Sequence, residues 1–291
     1  MISRRTFLAQ AGIASAGMVL APSLLSAKSL NGIGIQLYSL RDQLPKDPKG
    51  VLAKIAKAGY KEVETFGYSK QNGFWGLSAK EFSAVLKANG LKTPSGHYGM
   101  DEFFSTGKTE EFYSYIESAH ATGQTYIVIP SLNHDLIKTA ADFNSIADKM
   151  NKAAAVCKKE GLKLGYHNHN FEWEKVEGTT FYDTILAKTD PKLVAMEMDI
   201  YWVVRAGHDP ISIFKKHPGR FAMVHVKDMD KANHELNTEI GSGTIDFKTI
   251  LAKAKLAGIK HYLVEQENFT NIDPYVSIAK SAKYLKGKLY L

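Results

Sequence analysis

Eight short apolar, β-rich runs alternating with eight stretches of helical spacing constrain this chain more than any other feature in it. The runs fall at 33–37, 62–66, 91–94, 126–129, 162–166, 193–198, 221–226 and 262–264. Apolar residues recur at helical intervals over 48–58, 78–89, 110–121, 140–159, 180–188, 210–216, 247–257 and 274–285. Such alternation makes parallel strands joined by crossover helices, and eight of each is the count of a closed (β/α)₈ TIM barrel, an α/β fold. A doubly wound open sheet is the competitor, but no glycine-rich phosphate loop follows the first strand.

The punctuation sets direction as well as class. Gly59, Gly90, Gly161 and Gly258 each stand between a helical stretch and the next strand, where a left-handed C-cap belongs. Asp47-Pro48 and Asp209-Pro210 read as an N-cap followed by proline at the first helical position. Helix-to-strand turns are short, whereas the strand-to-helix segments 67–77, 99–108, 168–178 and 227–245 are long and polar. In a barrel the loops after the strands carry the chemistry.

Ahead of the barrel, Arg4-Arg5 leads into an uncharged, mildly apolar run that ends in Ser26-Ala27. This is the layout of an export signal of twin-arginine type, cleaved after residue 27, and it predicts a periplasmic protein whose single domain spans 28–291. Loss of Arg4 and Arg5 takes the formal charge from +7 to +5. The remaining charge is spread along the chain with no basic run, which argues against a nucleic-acid partner. No other stretch is apolar enough for long enough to span a bilayer. The one cysteine, Cys157, cannot form an internal disulfide.

Polar residues collect where the strands end. Asp199 closes the run 193–198, and a carboxylate at the tip of a buried strand needs a partner, whether a metal ion, a helix N-cap or Arg205. His225 and Lys227 are two apart, as are His167 and His169, so strand alternation sends each pair to one side. Neutral imidazoles suit divalent transition metals. Glu265 follows the eighth run, and Glu172 lies in the loop after the fifth, open to a role as ligand, orienting group or acid/base. Gln36, Glu64, His97 and Trp202 fall on the same expected face as substrate-binding candidates, with Trp202 as a platform for a sugar ring.

Together these pieces resemble the xylose isomerase-like TIM-barrel family, the sugar phosphate isomerase/epimerase group, over about residues 32–290. The resemblance rests on Gly34-Ile35-Gln36-Leu37-Tyr38-Ser39, Ala58-Gly59-Tyr60-Lys61-Glu62-Val63-Glu64, Tyr166-His167-Asn168-His169, Asp199-x-x-Trp202, His225-Val226-Lys227-Asp228 and Val264-Glu265-Gln266. It implies one divalent metal ion held by Asp199, His225 and Glu265 together with a residue from the fifth strand. Sugar epimerases of the family carry a glutamate at that fifth-strand position. Here His167 is the expected replacement, with Glu172 reaching in from its loop as the alternative. The resemblance also makes His169 a candidate base and gives Glu265 a part in proton transfer. Manganese, zinc, magnesium, cobalt and iron all suit such a ligand set.

The expected activity is metal-assisted proton abstraction next to a sugar carbonyl through an enediolate, with His169 or Glu172 moving the proton and Lys227 balancing oxygen charge. Isomerisation, epimerisation and β-elimination share that intermediate, so a sugar isomerase/epimerase is expected and a lyase or hydrolase-like enzyme on a keto-sugar or glycoside is the alternative. An exported enzyme meets unphosphorylated carbohydrate. An AP-endonuclease-like phosphodiesterase would need more histidine ligands, and a non-catalytic sugar-binding protein is the remaining rival. Many members of the family dimerise, which leaves a homodimer open.

Overall fold

The computed structural model describes residues 32–269 and 271–288. The export signal expected at 1–27 lies outside the described residues. Eight parallel strands close into a barrel: β1 (Gly34–Gln36), β2 (Glu62–Thr65), β3 (Lys92–His97), β4 (Tyr126–Ile129), β5 (Lys163–His167), β6 (Val194–Asp199), β7 (Phe221–Val226) and β8 (His261–Val264). Each strand pairs with its neighbours in sequence, and β8 closes onto β1 through Gly34 opposite Leu263.

The outer helices are α1 (Pro48–Ala58), α2 (Ala79–Ala88), α3 (Glu110–Thr122), α4 (Ala140–Lys159), α5 (Phe181–Lys188), α6 (Pro210–Lys216), α7 (Phe247–Leu251, continued by Ala254–Ala257) and α8 (Pro274–Lys288). Asp47 and Asp209 cap α1 and α6 through their side chains, each followed by proline. Gly59 and Gly258 take the left-handed conformation after α1 and α7, where a side chain would be strained.

Three details differ from the sequence reading. β3 runs on to His97 because Pro94, which has no N–H to give, sits where the β2–β3 register shifts, so the strand continues past it. A turn at Ala252 and Lys253 divides the helix expected over 247–257. Two short helices, Asp101–Thr106 and Ile200–Arg205, occupy loops that follow β3 and β6.

The apolar core has two parts. A large shell including Ile35, Val63, Ile127, Leu164, Val224 and Val264 packs strands against helices. A small plug of Tyr126, Val128, Ala222, Met223 and Leu263, with Ala195 against it, fills the barrel itself. The plug stops short of the strand ends, and polar side chains take over from there. Beyond β7, the Asp228 carboxylate accepts N–H groups from Met229, Gly241, Gly243 and Ile245, gathering a long loop around one residue. A Cβ on Gly243 would lie 2.3 Å from Asp228 Oδ1, so only glycine allows that wrap.

Candidate metal centre and active site

Side chains two residues apart on a strand share a face, so the polar floor is built from short columns. β6 supplies Glu197 and Asp199, β7 supplies His225 with Lys227 just past its end, and β2, β3, β5 and β8 add Glu64, His97, His167 and Glu265. All are buried except His97, which is nearly so.

The lower layer centres on two carboxylates. Glu197 Oε2 lies 2.7 Å from His97 Nε2, 3.2 Å from His167 Nδ1 and 3.3 Å from His225 Nε2. Glu64 Oε2 lies 2.7 Å from His225 Nε2 and 3.1 Å from His97 Nε2, and it accepts the Gln36 amide at 2.7 Å. In the upper layer, Asp199 Oδ1 accepts the Trp202 N–H at 3.1 Å and so caps the short helix Ile200–Arg205. Its Oδ2 is buried without a hydrogen-bond partner. That atom lies 3.9 Å from His167 Nε2, 4.0 Å from His225 Nδ1 and 3.8 Å from Lys227 Nζ. Glu265 Oε2 is 3.1 Å from His225 Nδ1 and 3.2 Å from Lys227 Nζ, and Lys227 also holds Glu267 at 2.5 Å.

These residues fit a divalent ion. Bonds of about 2.0–2.2 Å to nitrogen and oxygen set neighbouring ligand atoms roughly 3.0–3.5 Å apart. Asp199, His225 and Glu265 bring ligand atoms within 4.8 Å of one another, with His225 Nδ1 3.1 Å from Glu265 Oε2 and 4.0 Å from Asp199 Oδ2, and His167 Nε2 stands at the edge of that group, 3.9 Å from Asp199 Oδ2. The donor set is mixed nitrogen and oxygen, and one of its carboxylate oxygens has no other use.

Charge in this volume is unevenly settled. Burial would push Glu64 and Glu265 up, but the His97 and His225 rings beside Glu64, and Lys227 with His225 beside Glu265, hold both well below the usual carboxylate range. Burial does win at Glu197 and Asp199, each raised to about 7, with Glu64 and Glu265 respectively adding repulsion. His97 is raised to about 9, since the Glu64 and Glu197 carboxylates outweigh the cost of burying its charge. Burial, reinforced by neighbouring cations, lowers His167 well below its ordinary value and His169 to about 4, so both rings are neutral at pH 7. Burial keeps these two carboxyls from ionising fully against the pull of His97, His225 and Lys227, and Glu197 and Glu265 in turn raise His225 well above its ordinary value.

Above the floor a cavity of about 320 Å³ is bounded by Tyr38, His97, His167, His169, Trp202, Glu265 and Glu267. Two polar atoms buried beside it lack partners, His169 Nδ1 and Trp202 Nε1. Lys227 Nζ lies 5.2 Å from the Trp202 ring centre.

The structure thus gathers Asp199, His225 and Glu265 with His167 alongside, sets Lys227 beside them, and puts His97, His169 and Trp202 on the cavity wall. Two expected substrate contacts are elsewhere: Gln36 and Glu64 are wholly buried under the imidazoles, where strand alternation points them into the floor. Glu172 is not among the gathered carboxylates. Its oxygens accept the Tyr166 hydroxyl and the His169 N–H, both at 2.9 Å, because the one-turn helix Phe171–Trp173 folds it back behind β5, and burial raises it to about 7. Glu197 was not singled out from the sequence, although it stands two residues before Asp199, the same spacing that links His225 to Lys227.

Comparison with known proteins bears on this arrangement. The family described as xylose isomerase-like TIM barrel matches residues 52–288. A crystal structure of a sugar phosphate isomerase/epimerase from Parabacteroides distasonis ATCC 8503 is 30% identical, covers 93% of this chain and 99% of its own, and superposes with a TM-score of 0.78. An inosose dehydratase of Clostridium botulinum (strain Alaska E43 / Type E3) is 26% identical, with 82% of this chain and 87% of the dehydratase covered. A D-allulose 3-epimerase from Methylomonas sp. shares the fold, with a TM-score of 0.65 at 13% identity over 89% of this chain and 97% of its own.

Proposed function

Because the chain belongs to the xylose isomerase-like TIM-barrel family, we propose that it is a divalent-metal-dependent enzyme that removes a proton next to the carbonyl of an unphosphorylated keto-sugar and then expels a β-hydroxyl or β-alkoxy group. The observation that carries this reading is the buried, partnerless Asp199 Oδ2, grouped with His225 and Glu265 and 3.9 Å from His167 Nε2. Those four residues would hold the ion. When bound, it supplies a Lewis acid to the oxygens of the sugar.

The remaining steps belong to side chains. His169, neutral at pH 7 and with Nδ1 uncommitted beside the cavity, accepts the C–H proton. Its depressed basicity leaves the acidification of that C–H to charge stabilisation at the neighbouring oxygens. The electron pair passes into the enediolate and then into a new C=C bond as the leaving group departs, and protonated His169 returns its proton to that group. Trp202 Nε1, a donor only, is free to hold a sugar oxygen, and its ring packs beside the His169 imidazole.

Elimination is preferred to epimerisation because a two-sided proton exchange needs a second base. Of the two carboxylates expected to move protons, Glu172 is occupied by Tyr166 and the His169 backbone, and Glu265 is bound by His225 and Lys227. The inosose dehydratase likeness points the same way, and the likeness to the sugar phosphate isomerase/epimerase supports isomerisation as the second reading. The preference for an uncharged sugar follows from the walls. Glu265 and Glu267 face the cavity while Lys227 is bound to both, and Arg41 at the rim donates to the Tyr38 and Glu267 carbonyls. The export signal read at 1–27 agrees, since it would place the enzyme outside the cytoplasm.

The test is incubation of cobalt- or manganese-loaded protein with keto-sugars, an inosose included, in D₂O. The expected result is loss of the hydrogen next to the carbonyl together with loss of water or alcohol. Deuterium uptake next to the carbonyl without mass loss would establish the isomerase reading instead, and a substrate consumed with its hydrogen next to the carbonyl retained would overturn both.

A further inference from the structure

We propose that Glu197 and Glu64 are positioning residues that fix opposite tautomers on His167 and His225, so that both rings turn a lone pair toward the volume between Asp199 and Glu265. The purpose of this device rests on the metal-centre reading above. The His167 half of the device rests on geometry alone.

A neutral imidazole has one N–H and one lone pair, and the partner of one nitrogen decides the state of the other. A carboxylate only accepts once ionised, and Glu197, raised to about 7, is largely so at pH 8. His167 Nδ1 faces Glu197 Oε2 at 3.2 Å, so Nδ1 carries the hydrogen and Nε2, on the side of Asp199, is bare. His225 is turned the other way. Its Nε2 faces Glu64 Oε2 at 2.7 Å and Glu197 Oε2 at 3.3 Å, while Nδ1 faces Glu265 Oε2 at 3.1 Å, so the closer, doubled contact keeps a hydrogen on Nε2 and a cation between Asp199 and Glu265 would displace the one on Nδ1. The two rings come from different strands and would need different tautomers to aim lone pairs at one place. Two buried carboxylates at different heights supply that difference. Gln36 holds Glu64 in turn, through its amide at 2.7 Å, while its own carbonyl accepts the Tyr38 N–H.

The four-residue group His97, His167, Glu197 and His225 invites a rival reading as a second cation site. Its shortest separation, 2.7 Å between His97 Nε2 and Glu197 Oε2, is a hydrogen-bond length and shorter than the roughly 3.0–3.5 Å between atoms that share an ion. The lower layer therefore reads as hydrogen-bonded support, and one metal per chain is expected.

The experiment is long-range ¹H–¹⁵N correlation of the imidazoles in the histidine-labelled protein, assigned with His167→Gln and His225→Gln, alongside cobalt titration. Metal-free wild type at pH 8 should show His167 as the Nδ1–H form, and zinc-loaded protein should show His225 as the Nε2–H form. Glu197→Gln should lower the Nδ1–H population of His167 and weaken cobalt binding about 10- to 100-fold. Glu64→Gln should disturb His225 and leave His167 as it is. Weaker binding with both tautomers unchanged would mean a merely structural role and overturn the proposal. So would His167 found as Nε2–H in wild type, a result that stands even if neither variant folds. Two cobalt ions per chain would do the same in favour of the second cation site. If wild type takes up no cobalt while His167 is Nδ1–H, the metal-centre reading fails and the tautomer assignment survives.

Discussion

The two halves of the barrel interior are built by opposite rules. Below, Val128, Met223 and Leu263 meet as apolar volume with no directional partners. Above, every group from Glu64 to Glu265 touches named atoms at distances between 2.7 and 4.0 Å. The same strands serve both: Met223 and His225 are two residues apart on β7, as are Leu263 and the Glu265 that follows β8. The lower half stabilises the fold through burial, whereas the upper half confines carboxylates, imidazoles and an ammonium group whose charges are set by one another. Stability and chemistry are therefore separable along one strand by a single step of two residues.

The sharpest way to break that comparison is Asp199→Asn. It keeps the cap on the short helix, since asparagine also accepts the Trp202 N–H. Cobalt affinity should fall by more than about 100-fold, beyond the loss usual for an outer partner. Metal-free stability should move the other way. Burial draws the Asp199 carboxyl from 3.8 up to about 7, so between those pH values the unfolded chain releases a proton that the folded chain keeps. Folded wild type thus loses stability as pH rises through that window, and the loss persists above it. The asparagine variant lacks this slope, and its metal-free melting temperature at pH 8 should exceed that of wild type. An equal or lower melting temperature would mean that the upper layer also supports the fold.

Met223→Ala attacks the other half. It should cost about 2–5 kcal/mol in urea unfolding while leaving cobalt affinity unchanged. A smaller effect is expected from Gly165→Ala, whose Cβ would meet Val128 Cγ2 at 3.1 Å and Met223 Cε at 3.3 Å. The flexible methionine end can yield, so about 1 kcal/mol is expected. Smallest of all is Cys157, outside the barrel on α4, where burial pushes the thiol up to about 12. Native protein at pH 8 should resist maleimide labelling over hours and react promptly in urea; fast native labelling would show α4 opening independently of the barrel.

Much of this fold was legible in the sequence because strand and helix periods differ and the turns between them carry Gly, Pro and Asp. α1, α4 and α6 begin and end where the spacing predicts, and β7 does likewise. β3 was read too short because Pro94 looks like a stop, and only the register shift opposite it lets the strand continue. Of the candidate site, the alternation that paired His225 with Lys227 also pairs Glu197 with Asp199, but a glutamate inside an apolar run looked like part of the strand rather than of the floor. What no spacing could reveal was the depth of each carboxylate: Glu64 stands one residue before the end of β2 and Glu265 one past the end of β8, yet one lies under the imidazoles and the other beside the cavity.

The wrap around Asp228 has a consequence for how such an enzyme can vary over generations. Four backbone amides converge on that carboxylate, three of them from residues 241–245, so this part of the loop has almost no freedom in length or composition. Residues 231–236 lie outside the knot and are exposed or nearly so. Insertions there could reshape what approaches the cavity while Lys227, one residue before the knot, keeps its place. New specificities would then arise by lengthening a tip, with the chemistry below inherited unaltered.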